Sequence, residues 1–279
     1  MGTDLLWKVK EGSEVKLKEY DPGYTAKNHT RDSANAELQQ LNKELSNLQE
    51  LMAAAQHYSL LMILQGMDTS GKDGTIRHVL TGVNPQGCSV HAFKVPTEEE
   101  LAHDFLWRVH KVTPGKGSMS IFNRSHYEDV LIVRVHNLVP KPVWSRHYKE
   151  INHFEKLLAD NNTLILKFFL HISSEEQEKR LLAREQNQDK AWKASAGDWV
   201  ERRYWNEYQK AYEDALSKCS TETAPWYIVP ANNKWYRNVA IAQTLVETMR
   251  PYKDEWKAEL QARGQKELEA IKKIRAEQH

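Results

Sequence analysis

Residues 59–74 read SLLMILQGMDTSGKDG, and this stretch decides the fold. Ser59–Gln65 is a short, nearly unbroken apolar run, the pattern of a strand buried on both faces of a parallel sheet. Gly66-Met67-Asp68-Thr69-Ser70-Gly71-Lys72 then fits G-x-x-x-x-G-K, the Walker-A pattern. A helix is predicted over residues 74–80, ending before Pro85. Glycines let such a loop fold tightly, so several N–H groups converge on one anion. The helix N-terminus adds partial positive charge and Lys72 adds a full one. The alternative is a glycine-rich strand–helix turn without a ligand, but the strand before and the helix after supply the context that a phosphate loop requires.

Working outward, the alternation repeats. Residues 1–33 are polar and predict an irregular arm, followed by a helix over residues 33–56 with Leu38, Leu41, Leu45, Leu48 and Met52 at helical spacing. Strands are predicted at 89–94 (edge-like), 118–123, 163–172 and 226–230. Between them, Thr97 and Glu100 form a capping box for a helix through Val109. A Ser173/Ser174-capped helix follows the third of these strands, a helix runs over 198–216, and another over 235–249. The charged tail, about 251–279, is helix-prone. Strands alternating with helices predict a three-layer α/β/α fold with a parallel sheet. One domain is expected over 1–279, with an arm and helix over about 1–57 and a lid over about 180–205. The polar segment at 185–197 is the mobile part of that lid.

Within the loop, Asp73 stands where a Ser or Thr usually holds magnesium. Asp68 places a carboxylate beside the phosphates, which would repel it unless a divalent cation intervenes. Asp68 is therefore the expected metal contact, and Asp73 reads as a carboxylate at a helix N-terminus. Gly74 completes the loop's exit. A second constellation, Phe122-Asn123-Arg124-Ser125-His126-Tyr127-Glu128-Asp129, follows a core strand at the end where open α/β sheets bind ligands. Asn123 carries no charge, so Glu128 or Asp129 is expected to compensate, with Asp129 a second candidate metal contact. Arg124 offers a planar fork to a phosphate. Arg180 and Arg184 share a helix face, and Arg184 is singled out for the transferring group. Arg180, Arg202 and Arg203 read as solvated charges paired with neighbouring Glu. Arg77, Lys94, Lys111 and Lys116 are candidates for an extended cationic track that a long polyanion would need, and Arg146, His147 and Lys149 belong to the same basic set. Trp192 is the candidate for base stacking, and the other tryptophans, Trp235 among them, read as core or helix packing.

Composition limits the rest. The chain has 279 residues, 40% hydrophobic and 28% charged, with a formal net charge of +1. That suffices for a sizeable core and gives no global field for nucleic acid or an anionic membrane. Two cysteines, Cys88 and Cys219, exclude a disulfide scaffold and fit a reduced, cytoplasmic setting. No apolar run is long enough to span a bilayer, and no signal peptide is visible. The histidines lack zinc spacing, and no G-x-S-x-G elbow is present.

The chain resembles the second family of polyphosphate kinases, over roughly residues 15–250. The likeness rests on G-x-D-x-x-G-K at Gly66–Lys72 and on aromatic-Asn-Arg-Ser at 122–125. Arg184 before the lid, Trp205 with Tyr208, and Ala224-Pro225-Trp226 add to it. The resemblance implies a thymidylate-kinase-like P-loop kinase fold with a helical lid, and transfer of phosphoryl groups between inorganic polyphosphate and adenine or guanine nucleotides. It implies Mg2+, or Mn2+ in its place, and a homodimer or homotetramer. Asp68, Lys72, Arg124 and Arg184 are the functional residues by position, with Asn123 in the metal-motif slot where most members carry Asp. The Asn123 and Glu128 pattern is similar to the class III subgroup, which takes both nucleoside mono- and diphosphates. An ATP-dependent nucleotide or small-metabolite kinase on the same core, and a nucleotide-dependent switch, are the competing readings.

Overall fold

A computed structural model describes residues 5–27, 29–186 and 195–277. Strand β2 (Ser59–Gln65) is buried at every position, as its apolar run requires. It pairs in parallel with β4 (Met119–Asn123) on one side and β5 (Thr163–His171) on the other. Strand β3 (Cys88–Ala92) pairs with β4 and closes that side as a half-exposed edge. On the other side β6 (Trp226–Pro230) pairs in parallel with β5. After β2 the chain runs to β3 and β4 on one flank, then to β5 and β6 on the other. The loop leaving β2 therefore sits where the two halves of the sheet diverge, the place where open α/β sheets bind ligands.

The N-terminal arm departs from expectation. Trp7–Lys8 forms a short strand, β1, antiparallel to β6, with Trp7 opposite Ile228. Leu5, Leu6, Val9, Val15 and Leu17 are buried, so apolar residues spaced through a polar arm anchor it to the sheet edge.

Helix α1 (Arg31–Ala55) starts two residues earlier than predicted, because Thr30 and Ser33 form a reciprocal capping box. Helix α2 (Lys72–Val79) follows the loop directly. Thr97 does cap a helix, but α3 (Glu98–Leu101) is a single turn and α4 (Trp107–His110) is separate. The Asp104 carboxylate accepts from Leu106 N at 3.0 Å, a local turn that competes with helix continuation. Residues 130–162 carry no element assigned from the sequence. The structure has α5 (Ile132–Val135) and the longer α6 (Lys141–Asp160) there. Helix α6 opens with Pro142 in its first turn and buries Trp144, Tyr148, Ile151, Glu155 and Leu158 on one face. Helix α7 (Ser174–Gln186) is capped by Ser173. The predicted helix over 198–216 is instead two, α8 (Ala196–Arg202) and α9 (Trp205–Lys218). Helix α10 (Lys234–Met249) packs on α1, and α11 (Lys253–Glu277) continues the chain past Trp256, its one buried residue. No described helix is long and apolar enough to cross a membrane. The central part of the expected lid, 187–194, with Lys190, Trp192 and Lys193, lies outside the described residues.

Candidate active site

The loop between β2 and α2 takes its shape from backbone conformations that glycine allows. Gly66 has φ 152° and Gly71 φ 104°. A Cβ on Gly66 would lie 2.8 Å from Leu170 O and from Ser70 Oγ, and one on Gly71 would overlap the Arg237 guanidinium. Thr69 and Arg124 also take left-handed backbone, with φ 63° and 61°. That is a strained choice for side-chain-bearing residues, of the kind held at functional sites. The side chains of Met67, Thr69 and Ser70 are buried, so what the loop centre offers a ligand is mainly its backbone. Lys72 folds back over the loop and donates from Nζ to Gly66 O at 2.7 Å. Burial, with Arg124 nearby, lowers its pKa, and the carboxylates of Asp68, Glu128 and Asp73 partly offset this.

The two motifs read from the sequence meet across a cleft of 1170 Å3. Arg124 Nη2 donates to Asp68 Oδ1 at 2.8 Å, and Asn123 Nδ2 donates to Asp73 Oδ1 at 2.7 Å. Arg184 enters from α7 and donates to Asp198 Oδ2 at 3.0 Å. Asp68, Lys72, Asp73, Asn123, Arg124 and Arg184 all line this one cleft, as does Lys94, two residues past β3. Glu128 does not. It sits beneath Arg124, its Oε2 3.8 Å from Nη1, largely buried. Burial raises its pKa, and Arg124 and Lys72 oppose that. Burial also disfavours the Arg124 charge, but Glu128 and Asp68 outweigh it and raise its pKa.

Several expected residues stay outside. Asp129 does not line the cleft; its carbonyl receives His147 Nδ1 at 3.4 Å and its carboxyl is buried near Arg108. Lys116 lies at the opposite end of the sheet, before β4, and donates to Asn161 O. Lys111 sits over the Trp107 ring, 3.1 Å from its centroid. Arg77 is exposed on α2, and neither it nor Lys111 lines the cleft. Arg146, His147 and Lys149 belong to α6, away from the cleft, with His147 stacked on Phe105 at 4.1 Å.

Arg180 is not the solvated residue its helix face suggested. It is buried, pairs with Glu176 at 2.7 Å, and donates to Thr69 O, Ser70 O, Ala231 O and Asn232 O. Arg202 does pair with Glu178, at 2.9 Å. Residues missed in the sequence are Arg31, Lys234, Arg237 and Asn238, which line the cleft with Trp235. Their signal was available: Lys234, Arg237 and Asn238 are polar residues opening an otherwise apolar helix, directly after the C-terminal end of a core strand.

Comparison with known proteins gives the same picture. The family model described as Polyphosphate kinase 2 matches residues 28–257. The AMP/ADP-polyphosphate phosphotransferase of Meiothermus ruber is 52% identical over 87% of this chain and 91% of its own length. The ADP-polyphosphate phosphotransferase of Rhodopseudomonas palustris is 44% identical over 88% and 90%. The crystal structure of Polyphosphate Kinase 2 from Arthrobacter aurescens TC1 superposes with a TM-score of 0.83 at 43% identity, covering 88% of each chain.

Proposed function

The chain belongs to the polyphosphate kinase 2 family, and on that footing we propose that its cleft transfers phosphoryl groups reversibly between inorganic polyphosphate and nucleoside mono- and diphosphates. One observation carries this reading. Lys72, Asp68, Arg124 and Arg184 come from three separate segments of chain and converge on a single cleft at the C-terminal end of β2. An oxygen of the nucleotide's terminal phosphate forms the new bond to phosphorus. The bridging P–O bond of the polyphosphate breaks, and the shortened chain leaves with those electrons. That nucleotide oxygen is ionised at neutral pH, so no side chain need remove a proton. The loop amides and Lys72 hold the phosphates, while Arg124 and Arg184 counter the charge spread over the transferring group.

A divalent ion fits the residues present. Among the described residues no group of three or more His, Cys, Asp or Glu could hold a metal alone, and Asp68 and Asp73 both face the cleft. Mg2+ commonly takes one or two carboxylates together with substrate phosphates and water. Asp68 is the proposed contact, and Mn2+ would suit the same oxygens. Held by Asp68, such an ion would neutralise part of the phosphate charge in the cleft. The Asn123 and Glu128 pattern, together with a relative from Meiothermus ruber named for both AMP and ADP, supports the reading that both are acceptors. A cytoplasmic homodimer or homotetramer is proposed as the working form.

The test is direct. AMP or ADP is incubated with polyphosphate and Mg2+ without ATP, and the three nucleotides are followed over time. ADP and ATP should appear, and Lys72→Ala should slow their formation about a hundredfold or more. Formation of neither product, with phosphorylation only when ATP is supplied, would favour an ordinary ATP-dependent kinase.

A further inference from the structure

We propose that Arg237 is a positioning residue whose buried charge, unpaired by any carboxylate among the described residues, is balanced by the phosphate anion in the cradle, acting through the Ser70–Gly71 peptide. This rests on the reading of the loop as a phosphate site and names a second cation that serves it from below.

Arg237 lies in the first turn of α10 and is 2% exposed. Its guanidinium donates to Ser70 O at 3.0 Å from Nη1. Its Nε and Nη2 donate to Asn238 Oδ1 at 3.1 and 2.8 Å. All these acceptors are neutral, and among the described residues no carboxylate pairs with it. Burial, with Arg180 close by, pushes its pKa down to about 9. A buried cation without a counter-ion is costly to the fold, and nothing in α10 itself requires an arginine there.

What the position does supply is polarisation. Arg180 Nη1 also donates to Ser70 O, at 3.2 Å, so two guanidiniums converge on one carbonyl. The peptide is trans, so the N–H of Gly71 points to the side opposite that carbonyl. Hydrogen bonds to the carbonyl strengthen the same peptide's N–H as a donor. Gly71 is the residue that leads into α2, where loop amides face an anion. The Arg237 guanidinium also occupies the space a Cβ on Gly71 would take, which ties the second glycine of the motif to this arginine. Arg180 carries the partner Glu176; Arg237 carries none among the described residues, so its charge remains available to a polyanion in the cleft it also lines.

The test uses inorganic tripolyphosphate with Mg2+ as the probe and reads calorimetric affinity and the thermal upshift it causes. Arg237→Met should bind about tenfold or more weakly, with Arg237→Lys in between, and KM for polyphosphate should rise more than kcat falls. Asn238→Asp supplies the missing carboxylate where two hydrogen bonds already exist. It should raise the melting temperature of the free protein while shrinking the tripolyphosphate upshift. In the Arg237→Met background the same change should lower the melting temperature, since the new carboxylate then has no partner. Wild-type affinity in Arg237→Met would overturn the proposal. If that variant does not fold, an Asn238→Asp protein no more stable than wild type would overturn it. Wild-type protein that binds no tripolyphosphate would instead remove the cradle reading, and the inference with it.

Discussion

Arg124 and Asp68 are each other's counter-ion: Nη2 lies 2.8 Å from Oδ1, joining the segment after β4 to the loop after β2. Both side chains are needed elsewhere in the proposed reaction, Arg124 on a phosphate and Asp68 on a divalent ion. The pair therefore opens when substrates arrive, and its half-buried place in the cleft wall leaves both side chains within reach of them. Asp68→Asn keeps an oxygen for Arg124 and removes the charge. Turnover should fall about a hundredfold or more, and the Mg2+ needed for half-maximal rate should rise. Initial rates across a Mg2+ titration measure both, and an unchanged Mg2+ requirement would remove Asp68 as the metal contact.

Asn123 and Asp73 define the second expectation. Asn123 Nδ2 donates to Asp73 Oδ1 at 2.7 Å. Asn123→Asp replaces that hydrogen bond with two carboxylates in contact, which repel unless a cation sits between them. The free variant should melt below wild type, and Mg2+ should raise its melting temperature more than it raises that of wild type. Equal Mg2+ responses would show that the two oxygens do not face a common ion.

How far the site could be read from sequence follows from these two contacts. Asp68 and Asn123 sit beside glycines or at a strand end, where local pattern and ligand chemistry coincide. The apolar run of β2 and the Thr97 and Ser173 caps were legible for the same reason: neighbours in the chain decide them. Arg180 was not, because the Thr69 and Ser70 carbonyls it meets lie more than a hundred residues away, and an arginine on a helix usually means solvent; for Arg237 the place after a strand end was visible, but the distant Ser70 carbonyl it meets was not. Lys116 fails in the opposite way. A basic residue near a strand reads as a track member, but the direction of β4 puts it at the far end of the sheet. The single predicted helices at 97–109 and 198–216 overran because Asp104 and Tyr204 close their turns locally.

Asp129 gives a prediction in pH. Burial raises its pKa to about 7, with Arg108 opposing and Glu128 adding to the shift. The folded chain therefore keeps a proton that the unfolded chain releases near its ordinary carboxylate pKa. Stability is lost as pH rises from about 4 to about 7, and the penalty is constant above that. Asp129→Asn cannot ionise. It should raise the melting temperature at pH 8 by several degrees, and by progressively less toward pH 4. A stabilisation independent of pH would mean that the carboxyl is charged in the fold throughout.

The residues just after Arg124 enter a buried polar network. Lys167, inside β5 and fully buried, donates to the Glu155 carboxylate, to Tyr127 Oη at 2.9 Å and to Cys219 O at 2.6 Å. Glu155 Oε1 also accepts from Tyr127 Oη at 2.8 Å and from His126 Nε2 at 3.2 Å. Burial lowers the His126 pKa more than Glu155 raises it, which keeps the ring neutral near pH 7. The network thus carries one positive and one negative charge, and it anchors His126 and Tyr127 just after Arg124-Ser125. Lys167→Met leaves Glu155 buried without its counter-charge and should cost about 3–5 kcal/mol of stability; Glu155→Gln should cost a similar amount by stranding the ammonium. The double variant removes both charges and should be more stable than either single one, a coupling that urea denaturation of the four proteins measures. Simple additivity of the two losses would show that Lys167 and Glu155 are held independently, and that the segment carrying Arg124 owes its position to packing instead.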